Sequence, residues 1–243
     1  MLEFAIFANF LEMMRTVLLM LAFFAVISGS AQTYEVGLFG GGTNVIGDIG
    51  RTTYIAPSGL ALGGIFKWNK SKRYAWRGHM IYGEFIADDK LSGIPSRQIR
   101  NSRMQNNVLE VSAGLELNFV EYNLHKLGPA FTPYLFTGLT YFRYGYQTLE
   151  PNVDAKRDGA VSIPMVVGAK LRINQFLILG GEIGARYAFT DNLDASNPIL
   201  IYQNEADLWA NRTGNVLSDD WYVFSGLTLT YTFGRKPCKD CFQ

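Results

Sequence analysis

The sequence predicts an all-β fold, an eight-stranded antiparallel transmembrane β-barrel of the outer-membrane type. Three observations favour this fold over others. The N-terminal segment has the composition of an export signal. Side chains then alternate between apolar and polar with a period of two along successive segments, as in strands with two different faces. Finally, the connections between these segments alternate between long and short, as they do in outer-membrane barrels.

The composition fits strands and excludes one class of partner. The 243 residues include 25 Gly, 17 Phe, 13 Tyr and 4 Trp. Such a mixture suits closely packed strands with aromatic girdles at the membrane interfaces. The formal net charge is +1. Because a chain so close to neutrality offers no broad basic surface, we expect no nucleic acid partner.

The N-terminus predicts a signal peptide over residues 1–31. Met14 and Arg15 form a positive n-region, residues 17–27 are continuously apolar, and the small residues 28–31 suit cleavage before Gln32. The apolar run is shorter than the ~20 residues of a spanning helix. A retained membrane anchor is the alternative. Residues 1–13 fit the pattern poorly, so Met13 or Met14 is a second candidate for the true start.

The barrel is predicted over residues 32–233. In the clearest strand, Leu109 and Val111 lie on an apolar face, and Glu110 and Glu116 lie on the opposite face. In the third strand Glu84 falls on the apolar face, which predicts a bulge or the membrane edge. The fifth strand is aromatic on both faces, so its orientation stays open. The predicted strands are 34–42, 59–69, 73–86, 107–119, 130–147, 160–173, 176–189 and 221–233.

The connections separate a membrane barrel from a soluble β-sandwich, whose strands also alternate. The odd connections, 43–58, 87–105, 148–159 and 190–220, are long and polar. The even ones, 70–72, 121–129 and 174–175, are short, as expected of periplasmic turns. Because the number of strands is even, we expect both termini in the periplasm. The predicted location is the cell outer membrane, where lipids surround the barrel. The last strand ends in Tyr231 and Phe233, which resembles the terminal sorting signal of outer-membrane proteins.

Charged residues on the inward face predict a filled lumen. An open aqueous pore usually takes about 16 strands, and side chains fill the interior of eight. Opposite charges can pair there, where water does not solvate them. A narrow polar channel is the alternative. The predicted lumen residues are Arg77, His79, Glu110, Glu116, Lys170, Arg172, Glu182 and Arg186.

Catalysis finds little support in the sequence. Some small outer-membrane barrels modify lipids, which requires a nucleophile, a base and an orienting group together. The two histidines are His79, predicted inside the lumen, and His125, in a periplasmic turn. We therefore predict a protein that is not an enzyme, without catalytic residues, cofactor or metal.

Residues 234–243 predict a periplasmic tail that docks a partner. Its two cysteines, Cys238 and Cys241, are the only ones in the chain. They could bond to each other, bridge to another protein or stay reduced. The basic side chains of Arg235, Lys236 and Lys239 suit an acidic protein surface or anionic headgroups.

Two stretches resemble the PorG-type barrels of the type IX secretion system of Bacteroidetes. These are residues 34–50, with the segment Asn44 to Asp48, and 67–74, with the Lys67-Trp68-Asn69 turn; residues 54–57 extend the match. Lys72 stands where the family often has proline. The resemblance implies association with a periplasmic ring, formed by a lipoprotein and its partner subunit, that the barrel helps to hold at the outer membrane. In gliding species it also implies a link to motility.

Three hypotheses follow for the function. The leading one is a non-enzymatic barrel that anchors or organises the secretion ring. The second is an adhesin-like surface barrel that binds external ligands through its long loops, for example through Tyr202 and Trp209 in residues 190–220. The third is a lipid-modifying enzyme.

Overall fold

Eight antiparallel strands close into a barrel within the part of the chain that the structure describes. That part of the computed structural model comprises residues 33–47, 49–51, 53, 55–101, 103–124, 128–146, 156–190, 193 and 220–234. The strands pair in chain order, and β8 pairs back with β1. They are β1 (Thr33–Ile46), β2 (Gly59–Asn69), β3 (Tyr74–Asp88), β4 (Arg103–Asn118), β5 (Phe131–Tyr146), β6 (Lys156–Arg172), β7 (Leu177–Ala188) and β8 (Trp221–Phe233).

The two faces of the strands confirm the predicted outer-membrane type of barrel. Outward side chains are apolar and exposed, and inward ones are buried and largely polar. In β4, for example, Leu109, Val111 and Leu117 are outward, whereas Glu110 and Glu116 are fully buried. A water-soluble sandwich would bury such apolar side chains. Exposed apolar side chains around the barrel suit contact with lipid hydrocarbon. Closure of the barrel also leaves no strand edge with unpaired backbone groups, as a hydrocarbon environment requires.

Aromatic side chains gather on the outer wall towards both ends of the barrel. We call the end with the connections 70–73, 119–130 and 173–176 the short-turn end, and the opposite end the long-loop end. At the short-turn end Tyr34 stacks on Phe66 and Phe233, with centroids 6.0 and 5.6 Å away. At the long-loop end Tyr187 contacts Trp221 edge to face at 5.1 Å. These positions fit the two interface girdles of a membrane barrel.

The structure resolves two points that the sequence leaves open, the position of Glu84 in β3 and the orientation of β5. β3 has no bulge at Glu84, since its pairing with β4 keeps one register from Tyr74↔Leu117 to Asp88↔Arg103. Glu84 lies on the outer wall near the long-loop end, where Gln105 Nε2 donates to its Oε1 at 2.5 Å. In β5 the structure shows which face points into the lumen. Its inward side chains are Thr132, Tyr134, Phe136, Thr140, Phe142 and Tyr144.

The connections at the long-loop end are described in part. A 3₁₀ helix (Asp89–Leu91) and α1 (Pro95–Arg100) join β3 to β4. Gly50 N donates to Asp89 Oδ1 at 2.8 Å, and Arg97 Nη1 donates to Gly50 O at 3.1 Å. The first and second long loops are therefore tied together. Across the described ranges, no helix has the length and apolar character to span a membrane.

Leu139→Arg tests the outward face. Leu139 lies midway along β5 and is 61% exposed. Arginine at the bilayer midplane costs a β-barrel about 2–4 kcal/mol and near an interface only about 0–1 kcal/mol. We expect Leu139→Arg to lower the free energy of unfolding from lipid vesicles, measured by urea titration. Ile173→Arg, just beyond β6 at the short-turn end, is the control and should cost little. Equal stability of the two variants would contradict a lipid-facing wall.

Candidate functional site

The lower half of the lumen, towards the short-turn end, holds five charged side chains in mutual contact. We call Lys67, Arg77, Glu116, Lys170 and Glu182 the lower ion cluster. Glu116 lies 2.7 Å from Lys67 Nζ, 2.6 Å from Lys170 Nζ and 3.5 Å from Arg77 Nη1. Arg77 also donates a hydrogen bond from each of its terminal nitrogens to Glu182, at 2.8 and 2.7 Å. All five are nearly or fully buried, and their three positive charges are compensated by two carboxylates within the cluster.

Neighbouring polar groups complete this cluster from the remaining strands. Tyr134 OH donates to Glu182 Oε2 at 2.5 Å, and the Tyr134 ring lies 5.1 Å from Lys67 Nζ. Glu35 accepts from Asn69 Nδ2 and Thr230 Oγ1, each at 2.9 Å. Every strand of the barrel therefore contributes a polar side chain to this level of the lumen.

A second group of charges lies nearer the long-loop end. We call His79, Glu110 and Arg186 the upper ion cluster. Glu110 Oε1 is 2.9 Å from His79 Nε2 and 3.1 Å from Arg186 Nη2. Its other oxygen accepts from Tyr222 OH at 3.0 Å. The Phe136 ring separates the two clusters, with Arg77 4.8 Å from its centroid and the His79 ring 5.4 Å away.

Aromatic side chains fill the lumen next to the upper ion cluster. Phe142 lies 5.2 Å and Phe85 5.5 Å from Tyr222 between ring centroids, and Phe85 stacks on Phe224 at 6.0 Å. The guanidinium of Arg186 packs on Phe224 at 4.6 Å. All four rings are buried to 1% exposure or less. Bulky rings therefore occupy the cross-section between the ion clusters and the long-loop end.

The β4–β5 connection packs into the lumen from the short-turn end. Tyr122 and Leu124 are buried and cluster with Ile178. Lys170 Nζ lies 4.8 Å from the Tyr122 ring. Arg172 donates from Nε to Gly128 O at 2.9 Å and from Nη1 to Asn123 O at 3.0 Å. This connection thus covers the lower ion cluster.

The structure brings together seven of the eight predicted lumen residues in the two ion clusters. Arg172 is also buried, and its guanidinium donates to backbone carbonyl groups of the β4–β5 connection, outside the two clusters. Lys67, Glu35, Tyr134 and Tyr222 were missed. Strict alternation could have found Lys67, since Ala61, Ile65 and Lys67 share the buried face of β2.

The remaining predicted residues lie at the short-turn end or outside the described ranges. Tyr231 and Phe233 are on the outer wall at the short-turn end, where Phe233 pairs with Tyr34. Their role as a sorting signal stays a prediction. His125, the predicted signal peptide and the tail residues Arg235, Lys236, Cys238, Lys239 and Cys241 lie outside the described residues.

The chemistry of the lumen is that of a packed interior. His79 is enclosed with a carboxylate and two guanidinium groups nearby, and its ring is not exposed at either end. In the described ranges, no group of three or more His, Cys, Asp or Glu side chains could hold a metal ion. The arrangement can pair charges and fix strand register, which makes it a structural plug.

Comparison with other proteins supplies a family. A family model described as a domain of unknown function, DUF6089, matches residues 13–242. The chain belongs to the DUF6089 family. No curated protein matches its sequence.

Solved structures of bacterial outer-membrane proteins resemble this DUF6089 protein at low identity. A major outer-membrane protein of Thermus thermophilus is 15% identical, with 84% of this chain and 100% of that chain covered and a TM-score of 0.46. The N-terminal β-barrel domain of Pseudomonas aeruginosa OprF is 12% identical, with 83% and 97% covered and a TM-score of 0.44. Neisserial surface protein A is 10% identical, with 84% and 98% covered and a TM-score of 0.44.

Glu116→Gln tests the lower ion cluster. Removing the charge leaves three buried cations with one carboxylate fewer, and breaking a buried pair costs about 3–5 kcal/mol. We expect a corresponding loss in the free energy of unfolding from vesicles. Glu121→Gln is the matched control, because its pair with Lys72 is more than half exposed and surface pairs contribute about 0–1 kcal/mol. Adding Lys67→Met to Glu116→Gln should recover part of the loss. Similar costs for Glu116→Gln and Glu121→Gln would contradict the plug.

The filled lumen also predicts an absence of ion conduction. We expect the folded protein in a planar lipid bilayer to show no unitary current at either polarity in concentrated potassium chloride. A porin of about 16 strands in the same bilayer provides the positive control, since barrels of that size hold an aqueous channel. Reproducible single-channel steps would favour the narrow polar channel instead.

Proposed function

We propose that this DUF6089 protein is a non-enzymatic outer-membrane component of a type IX protein secretion system. In this role it anchors or organises the periplasmic ring of that machine at the outer membrane. The observation that carries the proposal is the filled lumen. Because ion pairs and aromatic rings occupy the interior, the barrel offers transported protein no path, and its function falls to its two ends and its tail.

The sequence resemblance to PorG-type barrels supports this choice of machine. One of the two resembling stretches, 67–74, spans the end of β2, its turn and the start of β3 at the short-turn end. Phe233, the last residue of β8, pairs with Tyr34 at the same end. The turn and the base of the tail thus share one end of the barrel. In the proposal this end faces the periplasm and the ring.

A second candidate is an adhesin-like barrel that binds external ligands. The observation in its favour is the joined first and second long loops. Beside them lies a cavity of about 250 Å³, with Asn44, Arg51, Pro57, Asp88 and Leu91 among its lining residues. A formed concavity of mixed polarity is a reasonable ligand site. The lipid-modifying enzyme has no comparable observation among the described residues.

Deletion of residues 236–243 tests the proposal through the predicted docking tail. We expect the intact, tagged protein to retrieve the ring lipoprotein and its partner subunit from mild-detergent extracts, and the deletion to reduce this retrieval at least tenfold. Running each sample with and without reductant shows whether Cys238 or Cys241 forms a cross-link. Cys238→Ser with Cys241→Ser separates that bond from the basic charges of the tail.

Replacement of residues 202–209, within the predicted loop 190–220, by a Gly/Ser linker of equal length is the matched control. It should leave retrieval of the ring unchanged. If the intact protein retrieves no ring subunit, the proposed machine is wrong. If the intact protein and the tail deletion retrieve the ring subunits equally well, the contact with the ring lies elsewhere on the short-turn end. If the 202–209 replacement abolishes adhesion but leaves retrieval of the ring normal, the second candidate is favoured.

A further inference from the structure

The turn between β2 and β3 is basic, exposed and held in shape by hydrogen bonds. We call Lys70, Ser71, Lys72 and Arg73 the basic turn; all four are exposed. Ser71 Oγ accepts from the backbone N of Arg73 and of Tyr74, each at 3.1 Å. Ser71 N donates to Tyr74 O at 3.1 Å. These bonds fix where the basic side chains leave the backbone.

Two tryptophans lie on the outer wall directly beside this turn. Trp68 of β2 and Trp76 of β3 are register partners, and Trp76 is 52% exposed. Tryptophan in this position marks the level of the lipid headgroups, because its ring is amphipathic. Lys70 Nζ lies 5.3 Å from the Trp68 ring centroid. The ammonium group therefore lies along the membrane-facing wall and does not extend away from the bilayer.

Among the described residues of the short-turn end, the positive charge of the basic turn exceeds the exposed negative charge. Glu121 is the exposed carboxylate within the described residues of the short-turn end, and its Oε2 is 3.5 Å from Lys72 Nζ. Both of these side chains are more than half exposed, so the pair is weak. Arg73 Nη1 donates to Phe119 O at 2.7 Å, which orients the guanidinium beside another outward aromatic residue. The Trp68 ring, which offers only the partial negative charge of its face, is the neighbour that Lys70 contacts.

We propose that the basic turn binds the phosphate of an anionic phospholipid in the leaflet that surrounds the short-turn end. Lys70 and Lys72 would contact the phosphate, while the acyl chains lie along Trp68 and Trp76. A lipid fits better than an acidic protein, because the cations stand beside the apolar wall, where acyl chains can follow them. Basic residues near a membrane surface attract anionic lipids in this way. This site is additional to the proposed ring anchoring and does not depend on it.

Lipid titration by native mass spectrometry of the full-length protein in detergent micelles tests the site. The ligands are phosphatidylglycerol and phosphatidylcholine with identical acyl chains. We expect the wild-type protein to bind phosphatidylglycerol about tenfold more tightly, since each basic residue near the headgroups adds to the attraction. Lys70→Gln with Lys72→Gln should abolish this preference. Both side chains are exposed, so the fold should be retained, and heat-dependent gel mobility checks this.

Arg51→Gln with Lys90→Gln is the matched control, because it removes two exposed charges from the long-loop end. It should keep the full preference for phosphatidylglycerol. An equal loss in this control would mean that net charge alone sets the binding and would overturn the site. So would a Lys70/Lys72 variant that retains the preference. Displacement of the lipid by equimolar glycerol 3-phosphate would indicate a site for free phosphate and would contradict a lipid. A wild-type protein without any preference would overturn the proposal and leave an acidic protein as the occupant.

Discussion

Charge pairing inside a narrow closed cylinder is the constraint on which this structure depends. Eight strands leave an interior that side chains must fill, and a charged group there has no bulk water to solvate it. Glu116 of β4 satisfies this requirement with one cation each from β2, β3 and β6. Such pairs add little net stability compared with apolar packing, but they are costly to disrupt. They also fix the strand register: a shift of one residue would turn Glu116 outward into hydrocarbon and Leu117 inward among charges.

The same constraint separates the structural interior from the functional surfaces. The ion clusters, the polar groups that complete them and the aromatic rings engage all eight strands, so the lumen cannot change without loss of barrel stability. Any binding of other molecules without disruption of the lumen must therefore take place at the two ends of the barrel, which differ in character. The short-turn end combines the basic turn with outward tryptophans. The long-loop end has two loops joined through Gly50 and Asp89, next to a cavity.

The sequence predicts those features that depend on local periodicity and misses those that depend on distant partners. Alternation in β4 and β7 indicates an inward position for Glu110, Glu116 and Glu182, which are buried, because most positions of these strands alternate between apolar and polar. In β5 this signal disappears, since Phe136 points inward and Leu135 outward, and both are apolar. Partner choice is beyond local pattern altogether. Arg77 and Glu182 are 105 residues apart in the chain, and their contact follows from the closure of the barrel.

The β2–β3 hairpin shows how much of a family resemblance can be explained by the barrel itself. Along this hairpin Lys67 points inward to Glu116, and Trp68, the next residue, points outward to the membrane interface. Lys70 then reaches back to the Trp68 ring. A period of two forces neighbouring residues into these opposite environments. Part of the resemblance at residues 67–74 therefore reflects the demands of plug and membrane, which any similar barrel must meet. In the proposed ring-anchoring role, the distinguishing groups are those free of both demands, and residues 234–243, which follow the last strand, are one such segment.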